Sequence, residues 1–243
     1  MKDIRYPSVA QLFEDLSKGL DCIVADLDNL KDYSRFHKDK KERIGISSSV
    51  LKKFSTENFR KIKFLSKDQI LSLCEKLLKM KCIGSRSLAF DWSFRVKKNY
   101  EKKDFKVFES WLKKYVDSWG SCDDLCTHSL GYFLYKFPEF TKEVKVWIKS
   151  KNRWLRRASA VSLIFSIRKE QGLKNVLNTA DTLLLDKDDL VQKGYGWMLK
   201  EASNKYQKEI FEFVMKRKNK MPRTALRYAI EKMPAYMKKR AML

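Results

Sequence analysis

The stretch that decides the fold is Lys149-Ser-Lys-Asn-Arg-Trp-Leu-Arg-Arg-Ala-Ser-Ala-Val-Ser-Leu-Ile164. Asn152 is a good helix N-cap, and an apolar face follows at Leu155, Ala158, Val161 and Ser162 with helical spacing. Four cations, Lys149, Lys151, Arg153 and Arg156, crowd the start of this helix. Cations there oppose the macrodipole, so the pattern predicts an anion beside them. Arg157 stands next to the small, core-facing Ala158, and a half-buried guanidinium takes either a phosphate or a carboxylate. An external anion and an intramolecular ion pair are both open at this point.

The same periodicity extends outward over nearly the whole chain. Only 8 Gly and 4 Pro punctuate it, and strict apolar alternation is scarce, so the fold class is all-α. A first helix runs from Gln11 to Leu30 along Leu12, Leu16, Leu20, Ile23, Val24 and Leu27. A charged run, Lys31 to Arg43, follows it as helix end and solvated loop. From Lys67 helices succeed one another at 67–81, 85–98, 103–115, 123–136 and 142–149. After the central stretch they resume at 172–185, 188–203, 205–218 and 222–232. Pro138, Gly172 and Pro222 fall between them, where breakers belong. A small residue followed by a bulky apolar one recurs at Ala89-Phe90, Gly131-Tyr132, Ala160-Val161, Gly196-Trp197 and Ala229-Ile230, at spacings of 42, 29, 36 and 33. That ragged period is in the range of helical-pair solenoids such as HEAT repeats. No linker rich in Pro, Gly or Ser interrupts the chain, which reads as one domain, residues 1–243.

Composition bounds the partners. Lys and Arg number 53 against 30 Asp and Glu, a net charge of +23, for which a polyanion is the economical partner. No apolar run is long enough to span a bilayer and no signal-peptide core is present, so the chain is expected to be soluble and cytoplasmic. Five irregularly spaced cysteines fit reduced thiols. Cys122, Asp123, Cys126 and His128 form one local cluster. The only other histidine is His37, so nothing closes a tetrahedral metal site, and no metal is expected.

Three further pieces stand beside Arg157. In Trp119-Gly-Ser-Cys-Asp123 a helix would put an indole and a carboxylate on one face; the alternative is a core Trp beside an N-capping Asp. In Gly194-Tyr-Gly-Trp197 two glycines inside a helical pattern each cost about 1 kcal/mol relative to Ala, which predicts a close approach by a neighbour. In the segment from Met221 to Met233, Arg223 sits at a helix start and Arg227 one turn later, suited to phosphate contact or to plain surface charge.

Taken in register, Trp119-x-x-x-Asp123, Asn152-Arg-Trp-Leu-Arg-Arg157-Ala and Gln192-Lys-Gly-Tyr-Gly-Trp197-Met-Leu-Lys-Glu201 resemble the DNA alkylation repair glycosylases of the AlkD type, from about Ser85 to the C-terminus. Nearer the N-terminus, Arg43-Ile-Gly-Ile is similar to that family's Gly-Val segment, without the Pro usual after it. The resemblance implies a right-handed α-solenoid of HEAT-like repeats. It also implies a monofunctional glycosylase that releases cationic N3- and N7-alkylpurines from duplex DNA and leaves an abasic site. By the same resemblance Asp123, Trp119, Trp197 and Arg157 match the catalytic cleft, and Arg153, Arg156, Lys193, Arg223 and Arg227 are expected to contact DNA. No cofactor and a monomer are expected. The residue types suit that chemistry. A cationic purine leaves without protonation, so one carboxylate suffices where ordinary glycoside hydrolysis needs two. Two rival readings remain: a non-catalytic helical-repeat protein that binds bent or branched DNA, and a scaffold for an acidic protein. The first can dispense with Asp123, and the second with the whole Trp/Asp/Arg set.

Overall fold

The computed structural model describes residues 9–26, 28, 30–32, 44–80 and 82–243. The chain forms two compact units, divided between Asn99 and Tyr100. In the first, α1 (Val9–Ala25) precedes a two-stranded antiparallel ladder, β1 (Leu30–Asp32) against β2 (Ile44–Ile46), with Lys31 opposite Gly45. Then come α2 (Ser48–Ile62), α3 (Lys67–Met80) and α4 (Ser85–Arg95). The first helix is shorter than its apolar stripe predicts, because the Asp26 carboxylate accepts the Asp28 N–H at 3.1 Å and turns the chain. Residues 33–43, with His37 and Arg43, and the side chains of Leu12 and Cys22 lie outside the described residues. In this unit α4 packs on α2 and α3. Its Trp92 is fully buried and donates Nε1–H to the Ser55 hydroxyl at 3.0 Å, so the indole keeps a partner inside an apolar core.

The second unit holds α5 (Phe105–Tyr115), α6 (Trp119–Thr127), α7 (Ser129–Lys136), α8 (Thr141–Val146), α9 (Arg153–Val161) and α10 (Ile164–Arg168). It continues with α11 (Leu173–Thr182), α12 (Asp189–Ala202), α13 (Gln207–Arg217), α14 (Arg223–Ala229) and α15 (Ala235–Met242). Packing follows chain order: α6 on α7 and α9, α7 on α10, α9 on α12, α12 on α14. The fold is all-α, an α-solenoid of helical repeats, as its periodicity predicts.

Two predicted helices are each divided. Residues 123–136 break at His128, whose backbone (φ −111°, ψ −91°) leaves the helical region. The Thr127 hydroxyl donates to the Asp123 carbonyl at 2.7 Å and His128 Nδ1 lies 2.9 Å from the Asp124 carbonyl, so side chains satisfy the last carbonyls of α6. The central stretch likewise ends at Val161 and restarts at Ile164. The last helix, α15, has no predicted counterpart. Of its residues only Ala241 is buried, so it carries no apolar stripe to betray it.

The recurring small residues mark the tightest packing. Ala89, Gly131, Ala160, Gly196 and Ala229 are all buried. A Cβ on Gly131 would lie 2.6 Å from the Cys126 carbonyl oxygen and 2.9 Å from Phe165 Cβ. One on Gly196 would lie 2.7 Å from Tyr228 Cβ and 2.9 Å from the Ala225 carbonyl oxygen. Neighbouring helices touch there almost backbone to backbone.

Candidate active site

Asn152 caps α9 as its sequence predicts, its Oδ1 accepting the Trp154 N–H at 2.8 Å. The anions predicted beside the cationic start of this helix are the protein's own. Arg153 Nε lies 2.8 Å from Asp188 Oδ2, and Arg156 Nε lies 2.7 Å from Asp186 Oδ2. Arg156 also donates from Nη1 to the carbonyls of Ser150 and Lys151 at 2.9 and 3.2 Å, which ties down the turn ahead of α9. Asp188 is at the same time the N-cap of α12, accepting the Leu190 N–H at 3.0 Å. One short loop therefore both starts α12 and pairs two of the four cations at the head of α9.

Arg157 is the innermost cation, only 5% exposed. Its partner is a carboxylate: Nε and Nη2 each donate to Asp123, to Oδ1 and Oδ2, both at 2.8 Å. Nη1 donates to the Leu190 carbonyl. Gly194 makes room for this arrangement, since a Cβ there would meet Arg157 Cγ at 3.1 Å and Nη1 at 3.3 Å. That is the close approach the glycine pair predicts, and Gly196 serves the α14 side in the same way. Burial pushes the Asp123 carboxyl above its ordinary value, with the Arg157 hydrogen bonds and charge opposing it. Burial also disfavours the charged guanidinium, but Asp123 outweighs it and holds Arg157 above its usual value. A buried pair of this kind adds little net stability, yet losing one member costs about 3–5 kcal/mol because the other is stranded.

Asp123 lies inside α6 and does not cap it. The cap is Ser118, whose hydroxyl accepts the Ser121 N–H at 3.3 Å. Trp119 is thus the first residue of the helix, one turn before Asp123 on the same face and half-buried. A Cβ on the adjacent Gly120 would meet nothing within 4 Å.

Trp197 is also half-buried and follows Gly194 by three residues on α12. Its Nε1 donates to Glu201 Oε1 at 3.1 Å, and Arg168 Nε donates to Glu201 Oε2 at 2.9 Å. Lys232 Nζ stands 3.7 Å from Oε1. Burial raises the Glu201 pKa, but Arg168, Trp197 and Lys232 together prevail and hold it below its usual value. Glu201 is not among the site residues the sequence singles out, although it holds the Trp197 indole. Its spacing of four from Trp197 on one helix was the available signal.

Of the remaining predicted DNA contacts, Lys193 is 3.3 Å from Asp189, one turn earlier. Arg223 donates to the Met242 carbonyl at 3.3 Å, and Arg227 is exposed. Trp154, whose flanks suggest a core residue, is only half-buried, with Arg153 5.9 Å above its ring. Cys122 and Cys126 are buried thiols, and Cys122 donates to the Trp154 carbonyl at 3.6 Å. Among the described residues these two cysteines, Asp123 and His128 do not converge as ligands of one ion.

Residues 23–233 match the model of a family described as DNA alkylation repair enzyme. The chain belongs to that family. The matched span includes Trp119, Asp123, Arg157 and Trp197. The family acts in the repair of DNA, and no helix among the described residues is long and apolar enough to cross a membrane. A solved structure, a predicted DNA alkylation repair enzyme from Enterococcus faecalis, is similar with a TM-score of 0.69 over 96% of this chain and 99% of that one. Sequence identity is 10%, so this likeness speaks for a shared fold. No curated protein matches the sequence.

Proposed function

We propose that the chain is a DNA glycosylase that hydrolyses the N-glycosidic bond of cationic N3- and N7-alkylpurines in duplex DNA. The observation that carries this reading is the partly exposed Asp123 carboxylate, held by both oxygens in the fork of the buried Arg157, with one half-buried tryptophan on its own helix and another on α12. In the reaction a water oxygen bonds to the anomeric carbon as the C1′–N bond breaks. The bonding pair passes to the purine and cancels its positive charge, so the leaving group needs no proton. The water's proton leaves by way of Asp123 to solvent.

Each residue has a role in that scheme. Asp123 stabilises positive charge developing on the sugar and orients the water, an electrostatic effect worth on the order of 10²–10³ in rate. The burial that raises its pKa also makes it a stronger base than an ordinary aspartate. Arg157 fixes the plane of the carboxylate. The faces of Trp119 and Trp197 receive the cationic nucleoside, each contact contributing about 0.5–2 kcal/mol. Arg153, half-exposed and steadied by Asp188, and Lys193 supply phosphate contacts beside them. The test is direct: duplex DNA carrying 7-methylguanine is incubated with the protein and free base is measured. Release of 7-methylguanine with an abasic product supports the reading; tight binding with no release over many hours removes it.

A further inference from the structure

Between residues 216 and 243 the sequence holds ten Lys and Arg and one acid, Glu231, so these 28 residues carry +9 of the net +23. The structure gathers them. Lys218 Nζ donates to the Arg240 carbonyl at 3.2 Å and Arg223 Nη1 to the Met242 carbonyl at 3.3 Å, which brings the loop after α13, the start of α14 and the end of α15 together. Arg227 lies one turn along α14 from Arg223. At the other edge Lys232 reaches Glu201, the anchor of Trp197. The head of α9 is more nearly balanced: Arg153, Arg156 and Arg157 each have a carboxylate of their own, and Lys149 and Lys151 are left exposed. Among the described residues Lys216, Lys220, Arg227 and Lys239 are exposed and pair with no carboxylate. Like charges held this close repel one another, and a polyanion relieves that repulsion.

We propose that the C-terminal end of α13 together with α14 and α15 forms the principal phosphate-docking surface of the protein, and that its occupant is the backbone of duplex DNA. This rests on DNA being the substrate, and it locates the grip apart from the chemistry. The patch holds the duplex through sequence-independent phosphate contacts, and its Lys232 edge leads that duplex to Trp197. The occupant is a polyanion because residues 216–243 offer ten cations against the single acid Glu231, the exposed Glu209 and Glu212 lying earlier on α13. The family's role in DNA repair selects DNA among polyanions.

The test measures binding of undamaged duplex, which does not depend on base excision. Lys216→Gln, Lys220→Gln, Arg227→Gln and Lys239→Gln are combined in one variant, leaving the Lys218 and Arg223 hydrogen bonds in place. A second variant removes the same charge elsewhere, through Gln at Lys52, Lys53, Lys142 and Lys174. Each neutralised phosphate contributes about −0.9 to the slope of log affinity against log salt, so the patch variant is expected to flatten that slope by about 3–4. The second variant should flatten it by less than about 1. Should the combined patch variant melt early, Arg227→Gln alone is measured, with an expected change of about 0.9. Equal flattening in the two quadruple variants overturns the proposal, because the charge then acts diffusely. So does an unchanged DNA slope accompanied by lost binding to vesicles rich in anionic lipid, which makes the surface a membrane contact. A flattened slope in a protein that releases no 7-methylguanine sustains the docking surface while rejecting the glycosylase.

Discussion

Asp123→Asn perturbs the fold and the proposed chemistry together, and the structure separates the two. The amide keeps one acceptor for Arg157 but turns an N–H₂ toward the other guanidinium N–H, donor against donor. The buried guanidinium loses its counter-charge, and breaking such a pair costs about 3–5 kcal/mol. In a chain of 243 residues each kcal/mol moves the melting midpoint by about 2–4 °C, so a fall of roughly 6–20 °C is expected by calorimetry. Single-turnover release of 7-methylguanine, followed well below that midpoint, should fall on the order of 10²–10³. Adding Arg157→Met removes the stranded charge, so the double variant should regain most of the lost stability and none of the lost rate. A single variant melting within 2 °C or so of the parent would show that the carboxylate and guanidinium are not energetically coupled. Recovery of excision in the double variant would show that Asp123 serves only to hold Arg157, and the catalytic assignment would fall.

Other expectations follow from the same geometry. Trp119→Ala and Trp197→Ala, at half-buried positions, should each shift the midpoint by only a few degrees, about 1 kcal/mol, while slowing 7-methylguanine release. Trp111→Ala, at a fully buried position, should lose about 3–5 kcal/mol, and equal losses in all three would return the two site tryptophans to the core. Because burial raises the Asp123 pKa, excision should decline on acidification at a pH above the ordinary aspartate value of 3.8. The folded site then binds its proton more readily than the unfolded chain, so its contribution to stability falls as pH rises through that window. A rate profile flat down to the ordinary aspartate range would count against this. Glu201→Ala should slow excision roughly tenfold or more by releasing Trp197 from a charge-assisted hydrogen bond. Glu201→Gln retains an acceptor for the indole and should lose less, and the reverse order in the kinetics would refute the anchoring role. Gly196→Ala should cost about 1–3 kcal/mol, because backbone must move. Gly194→Ala meets the Arg157 and Val161 side chains rather than backbone, so it should cost less stability yet still reduce excision; comparison of melts with rates checks both.

The helices and their order were legible because apolar stripes and breakers are local signals, and Asn152 caps the helix it was assigned. The Trp119–Asp123 spacing was legible as a shared face once the segment was taken as helical, and the glycine pair announced a close approach. Which groups make that approach was not legible. The partner of Arg157 lies 34 residues away, and those of Arg153 and Arg156 lie 35 and 30 residues on. Such pairings are set by how repeats stack. Surplus positive charge at α9 pointed to an anion without saying whether it was external or the protein's own, and the loop ahead of α12 supplies two internal ones. The break at His128 leaves no mark in the sequence because side chains, not Gly or Pro, end α6 there.

Gly194 and Gly196 stand two residues apart, about 200° around the axis of α12, and face different neighbours. Toward α14 no side chain can yield, because Gly196 meets the Ala225 backbone and Tyr228 Cβ. Toward α9 Gly194 meets the Arg157 and Val161 side chains, and Arg157 is held by Asp123 and the Leu190 carbonyl. Rotamer exchange, the ordinary source of give in a protein interior, therefore has little influence on that spacing. On the glycosylase reading this turns the site into a fixed aperture: a larger alkyl group gains no room by parting α9 from α12. Tolerance of bulky lesions then depends on how much of the adduct can project into solvent while the sugar remains at Asp123.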